Sequence, residues 1–288
     1  MQADPLRSSD PGAAITARYT YRATYAYGHE VTRNENVLRI APRVDDAQYD
    51  AACEVRTTPD GEQTEDHDEF GNRVLRSVVT CPHREMTVDA AGSVAVRLGR
   101  EPVTDLRMEV YRERLLPAGV YLAGTALVDP IALAEQARVA AGGATSLLET
   151  VQAVTAWLHR RMVYERGHTS VFTTAEEAIA RGYGVCQDYT HAAIGLLRAL
   201  GIPTRYVSGL LASQVGETHA WIEFQHPDQG WLTADPTRLR MLPPPTELLT
   251  FAVGRDYNDA RPSFGSFDPP GEGGLVSVEA RVQLGEEG

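Results

Sequence analysis

Gly182-Tyr183-Gly184-Val185-Cys186-Gln187-Asp188 decides how this chain reads. Two glycines hinge a loop that delivers a cysteine to the start of a helix. Ile194, Leu197 and Leu200 fall on one side of that helix, and Gly201 with Pro203 ends it. At a helix N-terminus the first-turn N–H groups are unpaired and the dipole is positive, so a cysteine there is pushed towards its nucleophilic thiolate. Asp188 adds negative charge in the same turn. Positions i and i+2 lie ~200° apart on a helix, so its carboxylate is expected to cap the helix, away from the sulfur.

A cysteine nucleophile needs a base and a group that orients the base. Thr218 to Phe224 reads as a strand with His219, Trp221 and Glu223 on one face, and Trp231 to Asp235 as a second strand ended by Pro236. Gln225 to Gln229, followed by Gly230, is turn chemistry. With those five residues as the loop, Phe224 opposes Gly230 and His219 directly opposes Asp235, Cβ atoms ~4.5–5.5 Å apart. A one-residue slip would put the pair on opposite faces. A lone strand histidine is more often structural than basic, and an Asp-Pro is more often a turn. The order Cys186, His219, Asp235 together favours catalysis.

Upstream, the first ~100 residues read as β-structure. Tyr19, Tyr21, Ala23, Tyr25 and Tyr27 alternate with polar residues, and Ala51-Cys53-Val55 and Met86-Val88-Ala90 repeat the period of two. Turn signals at Pro59-Asp60-Gly61, Asp68 to Asn72 and Ala91-Gly92 separate these runs, a spacing that suits a small sandwich or barrel. Helical signals follow: Asp129-Pro130 with a stop at Gly142-Gly143, and capping boxes at Ser146/Glu149 and Thr174/Glu177. Leu148, Val151, Thr155, Leu158 and Met162 form a core-facing stripe. Residues 243–274, rich in proline and glycine, read as an extended loop. Val276 to Leu284 alternate again, so the C-terminus is expected to return to a sheet.

These motifs closely resemble the bacterial transglutaminase-like superfamily, in its cysteine peptidase branch. The likeness rests on Gly184 to His191, Leu196 to Gly209, His219-Ala220-Trp221 and Gly230 to Thr237. Val37 to Arg43 and Asp68 to Asn72 look like the β-rich region that accompanies this core. The resemblance implies an α+β fold: a β-rich, sandwich-like N-terminal domain (1–105), a connecting segment (106–145) and a papain-like core with a C-terminal strand (146–288). It implies Cys186 as nucleophile, His219 as base and Asp235 as orienter. The backbone N–H of Cys186 is the default oxyanion donor, and Tyr164, Gln187 and Trp221 are candidates for completing the hole or the cleft. His191, ~140° round the helix from Cys186, is expected to pack rather than react.

Composition narrows the function further. The chain has 288 residues, 43% of them hydrophobic and 23% charged, which excludes wholesale disorder. No run approaches the ~18 apolar residues of a membrane span, and no secretory signal pattern opens the sequence, so a cytoplasmic protein is expected. Net charge is −12, every basic residue is arginine, and no basic patch appears, which argues against nucleic acid and membrane as partners. Three cysteines, with no Cys-x-x-Cys, indicate neither a disulfide scaffold nor a zinc ribbon. Cys53 and Cys81 read as reduced structural thiols, and Asp66 to Glu69 as a solvated acidic loop rather than a cation site. No metal or cofactor is called for. The expected activity is cleavage of peptide or isopeptide bonds in a protein or peptide substrate through a thioester. The alternatives are transamidation to an amine acceptor and a non-catalytic binding module.

Overall fold

In the computed structural model, which describes residues 13–115, 119–212 and 215–285, the tyrosine-rich stretch is one long strand, β1 (Ala14–Val31). Tyr19, Tyr21, Ala23, Tyr25 and Tyr27 are all buried, as their alternation predicts. There follow β2 (Arg33–Leu38), β3 (Gln48–Thr58), β4 (Glu62–His67), β5 (Arg73–Val79) and β6 (His83–Arg97). The helical region holds α1 (Met108–Arg114), α2 (Ala134–Ala141), α3 (Leu147–Arg161), β7 (Val163–Tyr164), α4 (Ala175–Arg181), β8 (Tyr183–Gly184) and α5 (Cys186–Ala199). Then come β9 (Thr204–Leu211), β10 (His219–His226), β11 (Gly230–Asp235), β12 (Arg240–Met241), β13 (Leu248–Gly254), α6 (Tyr257–Ala260), β14 (Ser263–Asp268) and β15 (Gly273–Leu284). The fold is α+β, and no helix among the described residues is long and apolar enough to cross a membrane.

Two four-stranded antiparallel sheets make the β-rich region, in the orders β15-β1-β6-β3 and β14-β2-β5-β4. One outer strand of each, β15 and β14, comes from the far end of the chain. β15 runs along β1 from Ala17↔Leu284 to Tyr27↔Gly273, so the alternating C-terminal run does return to a sheet. The extended loop expected over 243–274 is not there: the segment holds β13, α6 and β14. β13 is buried along its whole length, so its sequence carries no period-two mark. In β14, Gly265 lies so close to β2 that a Cβ would sit 2.2 Å from the Glu35 carbonyl oxygen, and only glycine fits there.

The second layer is a five-stranded sheet, β12-β11-β10-β9-β13, with α5 packed across it. Val151, Thr155, Leu158 and Met162 are buried beneath α3, as the stripe predicts. The Thr174/Glu177 capping box on α4 forms in both directions, whereas Ser146 makes no side-chain cap on α3. Its hydroxyl donates to Asp105 (2.6 Å), whose other oxygen accepts the Leu148 N–H (2.9 Å) and does the capping from a distance.

The layers are joined at β13. Gln48 accepts from the Thr250 N–H and donates to its carbonyl, and Asn72 does the same for Val253 (2.7–3.0 Å). Two buried amides thus occupy the main-chain groups of an edge strand that would otherwise be open. Phe251, on the bulge between them, enters the core of the tyrosine-rich sheet.

Candidate active site

Cys186 is the first residue of α5 and is partly buried against the core. Gly182 ends α4 in the left-handed conformation (φ +74°), and β8 then pairs in parallel with β7. Asp188 reaches back to accept the Val185 N–H (2.7 Å) and a hydrogen bond from the Thr169 hydroxyl (2.8 Å). It caps the helix as expected. A Cβ on Gly184 would sit 2.5 Å from the Asp188 Cβ, so the glycine makes room for this cap. Burial pushes the Asp188 carboxyl up, with these hydrogen bonds pulling the other way.

The register of β10 and β11 differs from the expected one by two residues. His226 pairs with Gly230, Phe224 with Leu232 and Ile222 with Ala234, leaving a three-residue loop, 227–229, rather than five. Gly230 is left-handed (φ +68°), which suits a short hairpin, and the His226 ring accepts the N–H groups of Asp228 and Gln229 (3.2 Å each). That capping keeps His226 within the strand. His219 and Asp235 are therefore diagonal rather than directly opposed. A two-residue shift preserves the face, and the imidazole spans the diagonal: Nε2 donates to Asp235 Oδ2 at 2.8 Å.

Asp235 is fully buried, and both its oxygens accept. Oδ1 takes the N–H groups of Thr237 (3.0 Å) and Arg238 (3.2 Å), while the Arg238 guanidinium stands 3.8 Å from Oδ2. Cys186 lies within electrostatic reach of the imidazole, whose other ring nitrogen is not used by Asp235. Burial alone would lower the His219 pKa. The interactions with Asp235 and Cys186 outweigh it and raise the pKa to about 9. The ring thus holds its proton at neutral pH, ready for a leaving group.

The remaining candidates are spread differently. Tyr164 is exposed on β7 and within electrostatic reach of Cys186; burial, then the nearby sulfur, raises its pKa. Gln187 turns its amide to the Val171 carbonyl (3.3 Å). Trp221 is buried among Val207, Leu211, Leu248 and Val253, its ring stacked 6.1 Å from that of His219. His191 is fully buried, its pKa driven down to about 3 by burial and Arg198, and it accepts the Tyr257 N–H (3.1 Å). Sequence reasoning missed Arg238 and Thr169. Arg238, three residues past Asp235 in a turn, had a local signal; Thr169 arrives from a separate loop. Asp68, read as part of a solvated loop, instead holds Arg39 (2.9 Å) and the turn amides of Phe70 and Asn72. Among the described residues no His/Cys/Asp/Glu cluster is arranged to hold a metal ion.

A cysteine at a helix start, a histidine and a buried aspartate on adjacent strands define a thiol acyl-transfer type of site on an α+β core. Comparison with known proteins agrees with that class. Residues 134–236 match the transglutaminase-like superfamily, and residues 17–95 match the bacterial transglutaminase-like N-terminal region. Together the two matched stretches give a transglutaminase-like core preceded by a bacterial transglutaminase-like N-terminal region. An uncharacterized protein of Mycobacterium leprae is 29% identical over 287 residues, covering 93% of this chain and 98% of its own length. A protein-glutamine gamma-glutamyltransferase of Pseudomonas aeruginosa is 38% identical over 65 residues, 19% of this chain and 10% of that one. The solved structure of a provisionally named cysteine protease from Cytophaga hutchinsonii shares the fold. Its TM-score is 0.78 at 22% identity, over 96% of this chain and 93% of that one.

Proposed function

We propose that this protein is a cysteine-dependent amide hydrolase acting on peptide or protein substrates. The observation that carries the reading is the His219–Asp235 hydrogen bond with Cys186, the first residue of α5, in electrostatic reach of the same imidazole. Cys186 attacks the amide carbonyl and forms the C–S bond. His219 gives its proton to the leaving amine as the C–N bond breaks, and a thioester remains. Water then attacks the thioester, its proton passing to His219 as the C–S bond breaks. Asp235 holds the imidazole in register and offsets its positive charge. The backbone N–H of Cys186 supports the oxyanion, and Tyr164 is the candidate second donor. Water is favoured over an amine as acceptor on the exposure of Tyr164 next to Cys186, which leaves one side of the acyl-enzyme open to solvent.

The test is a peptide library offered with a fluorescent primary amine, scored for amine release and for amine incorporation. Release abolished by Cys186→Ala and by His219→Ala is the expected result; incorporation would make the enzyme a transglutaminase. No Cys186-dependent product, with Cys186 alkylation by iodoacetamide indifferent to His219→Ala, would leave a binding module. The expected pH profile of kcat/KM is flat through neutral pH and falls as pH rises through about 9, where His219 loses the proton it must donate.

A further inference from the structure

The loop between β7 and α4 carries bulky apolar side chains that the core does not use. Phe172 is 79% exposed, its neighbour Val171 is exposed as well, and so is Tyr164 on β7. Phe172 is held outward by design of the loop rather than by slack. Ser170 and Thr173 bond across it: the Ser170 N–H donates to the Thr173 hydroxyl (2.9 Å) and the Thr173 N–H to the Ser170 carbonyl (3.0 Å). Thr173 is itself buried. Two further bonds fasten the loop to the start of α5, from Gln187 to the Val171 carbonyl and from Thr169 to Asp188. The loop is thus anchored at the helix turn that begins with Cys186, and Tyr164, paired with Gly184 on β8, lies within electrostatic reach of the same sulfur.

Two features say what this apolar strip receives. The charges around it are paired with one another, Arg166 with Glu217 (3.0 Å), His168 with Glu165 (3.1 Å) and Arg181 with Glu177 (3.5 Å), leaving little to select an ionic side chain. Val163 and Glu165 donate their N–H groups to the carbonyls of Gly182, just before β8, and Gly184 on it (2.9 and 3.0 Å), so the main chain of Tyr164 between them faces away from β8. An N–H and C=O so turned next to an apolar strip is what an extended peptide pairs with.

We infer that Tyr164, Val171 and Phe172 form a subsite for a bulky apolar side chain of the acyl donor. The substrates are then peptides with an aromatic or branched aliphatic residue close to the bond that is cut. This rests on the proposed role of Cys186.

Two alkylating agents separate the subsite from the nucleophile: iodoacetamide and N-(2-phenylethyl)iodoacetamide. In both, the thiolate displaces iodide, a C–S bond replacing C–I and the iodide leaving with the electron pair. The wild type is expected to react with the aromatic reagent about tenfold faster. In Phe172→Ser that ratio, taken against the variant's own iodoacetamide rate, should fall towards one, while Phe172→Leu retains most of it. Peptides differing only in a leucine or aspartate beside the cut bond should show the same preference in kcat/KM. A wild-type ratio near one, or a ratio indifferent to Phe172→Ser, overturns the subsite. So does a concentration-dependent dimer that Phe172→Ser dissolves while the ratio stays flat, since the strip then serves a second copy. Slow iodoacetamide labelling unaffected by His219→Ala overturns the nucleophile instead.

Discussion

Along β1 every second residue is buried, whereas along β9 and β13 every residue is. The tyrosine-rich sheet keeps a solvent-facing side; the central sheet lies between α5 and the neighbouring β-rich layer. In the first, polar residues are the default on one face and mean little individually. In the second, polar side chains stand against the cost of burial, and those nearest the candidate site have definite partners. Glu223 meets Arg205 at 2.6 Å, Ser208 donates to the Ala260 carbonyl, and Asp235 serves His219 and two backbone amides. The candidate chemistry sits in the enclosed sheet, while the half-solvated one holds its edge.

The sharpest way to break this contrast is Asp235→Asn. Both carboxylate oxygens accept hydrogen bonds, and an amide has only one acceptor, so the variant must face a donor with a donor on one side. Activity is expected to fall on the order of 10³–10⁴-fold, measured as kcat/KM on a cleaved peptide. Loss below tenfold would mean the imidazole needs no orienter. Next in size is Phe251→Ala, which empties the plug between the layers. Denaturant unfolding should show about 3–5 kcal/mol lost, with specific activity of the folded protein kept. Smallest is Asn72→Ala, which frees the Val253 N–H and C=O. About 2 kcal/mol is expected from the same measurement, and a negligible change would mean that water replaces the amide at the strand edge.

Legibility in the sequence followed the same division. The tyrosine alternation of β1 was readable because one face meets solvent. The helix start at Cys186 was readable because Gly182, Gly184 and the Thr174/Glu177 box are local signals. The pairing of His219 with Asp235 was readable only as to face. Its register was misjudged by two because His226 looked like a loop residue, when its ring caps the turn and keeps it in the strand. β13 was invisible, since an all-buried apolar run among prolines and glycines shows neither alternation nor a helical period. The clamp from Thr169 to Asp188 spans 19 residues and depends on where a loop folds back, which no local pattern encodes.

The pairing of β1 with β15 also sets an order of events during synthesis. β1 leaves the ribosome with one edge matched by β6 within its own hairpin-linked neighbourhood, but its other partner is made roughly 240 residues later. At ordinary elongation rates that is a wait of some tens of seconds. For that interval a long, aromatic strand edge stands open in the nascent chain, and the sheet nearest the start of the protein is among the last to be finished.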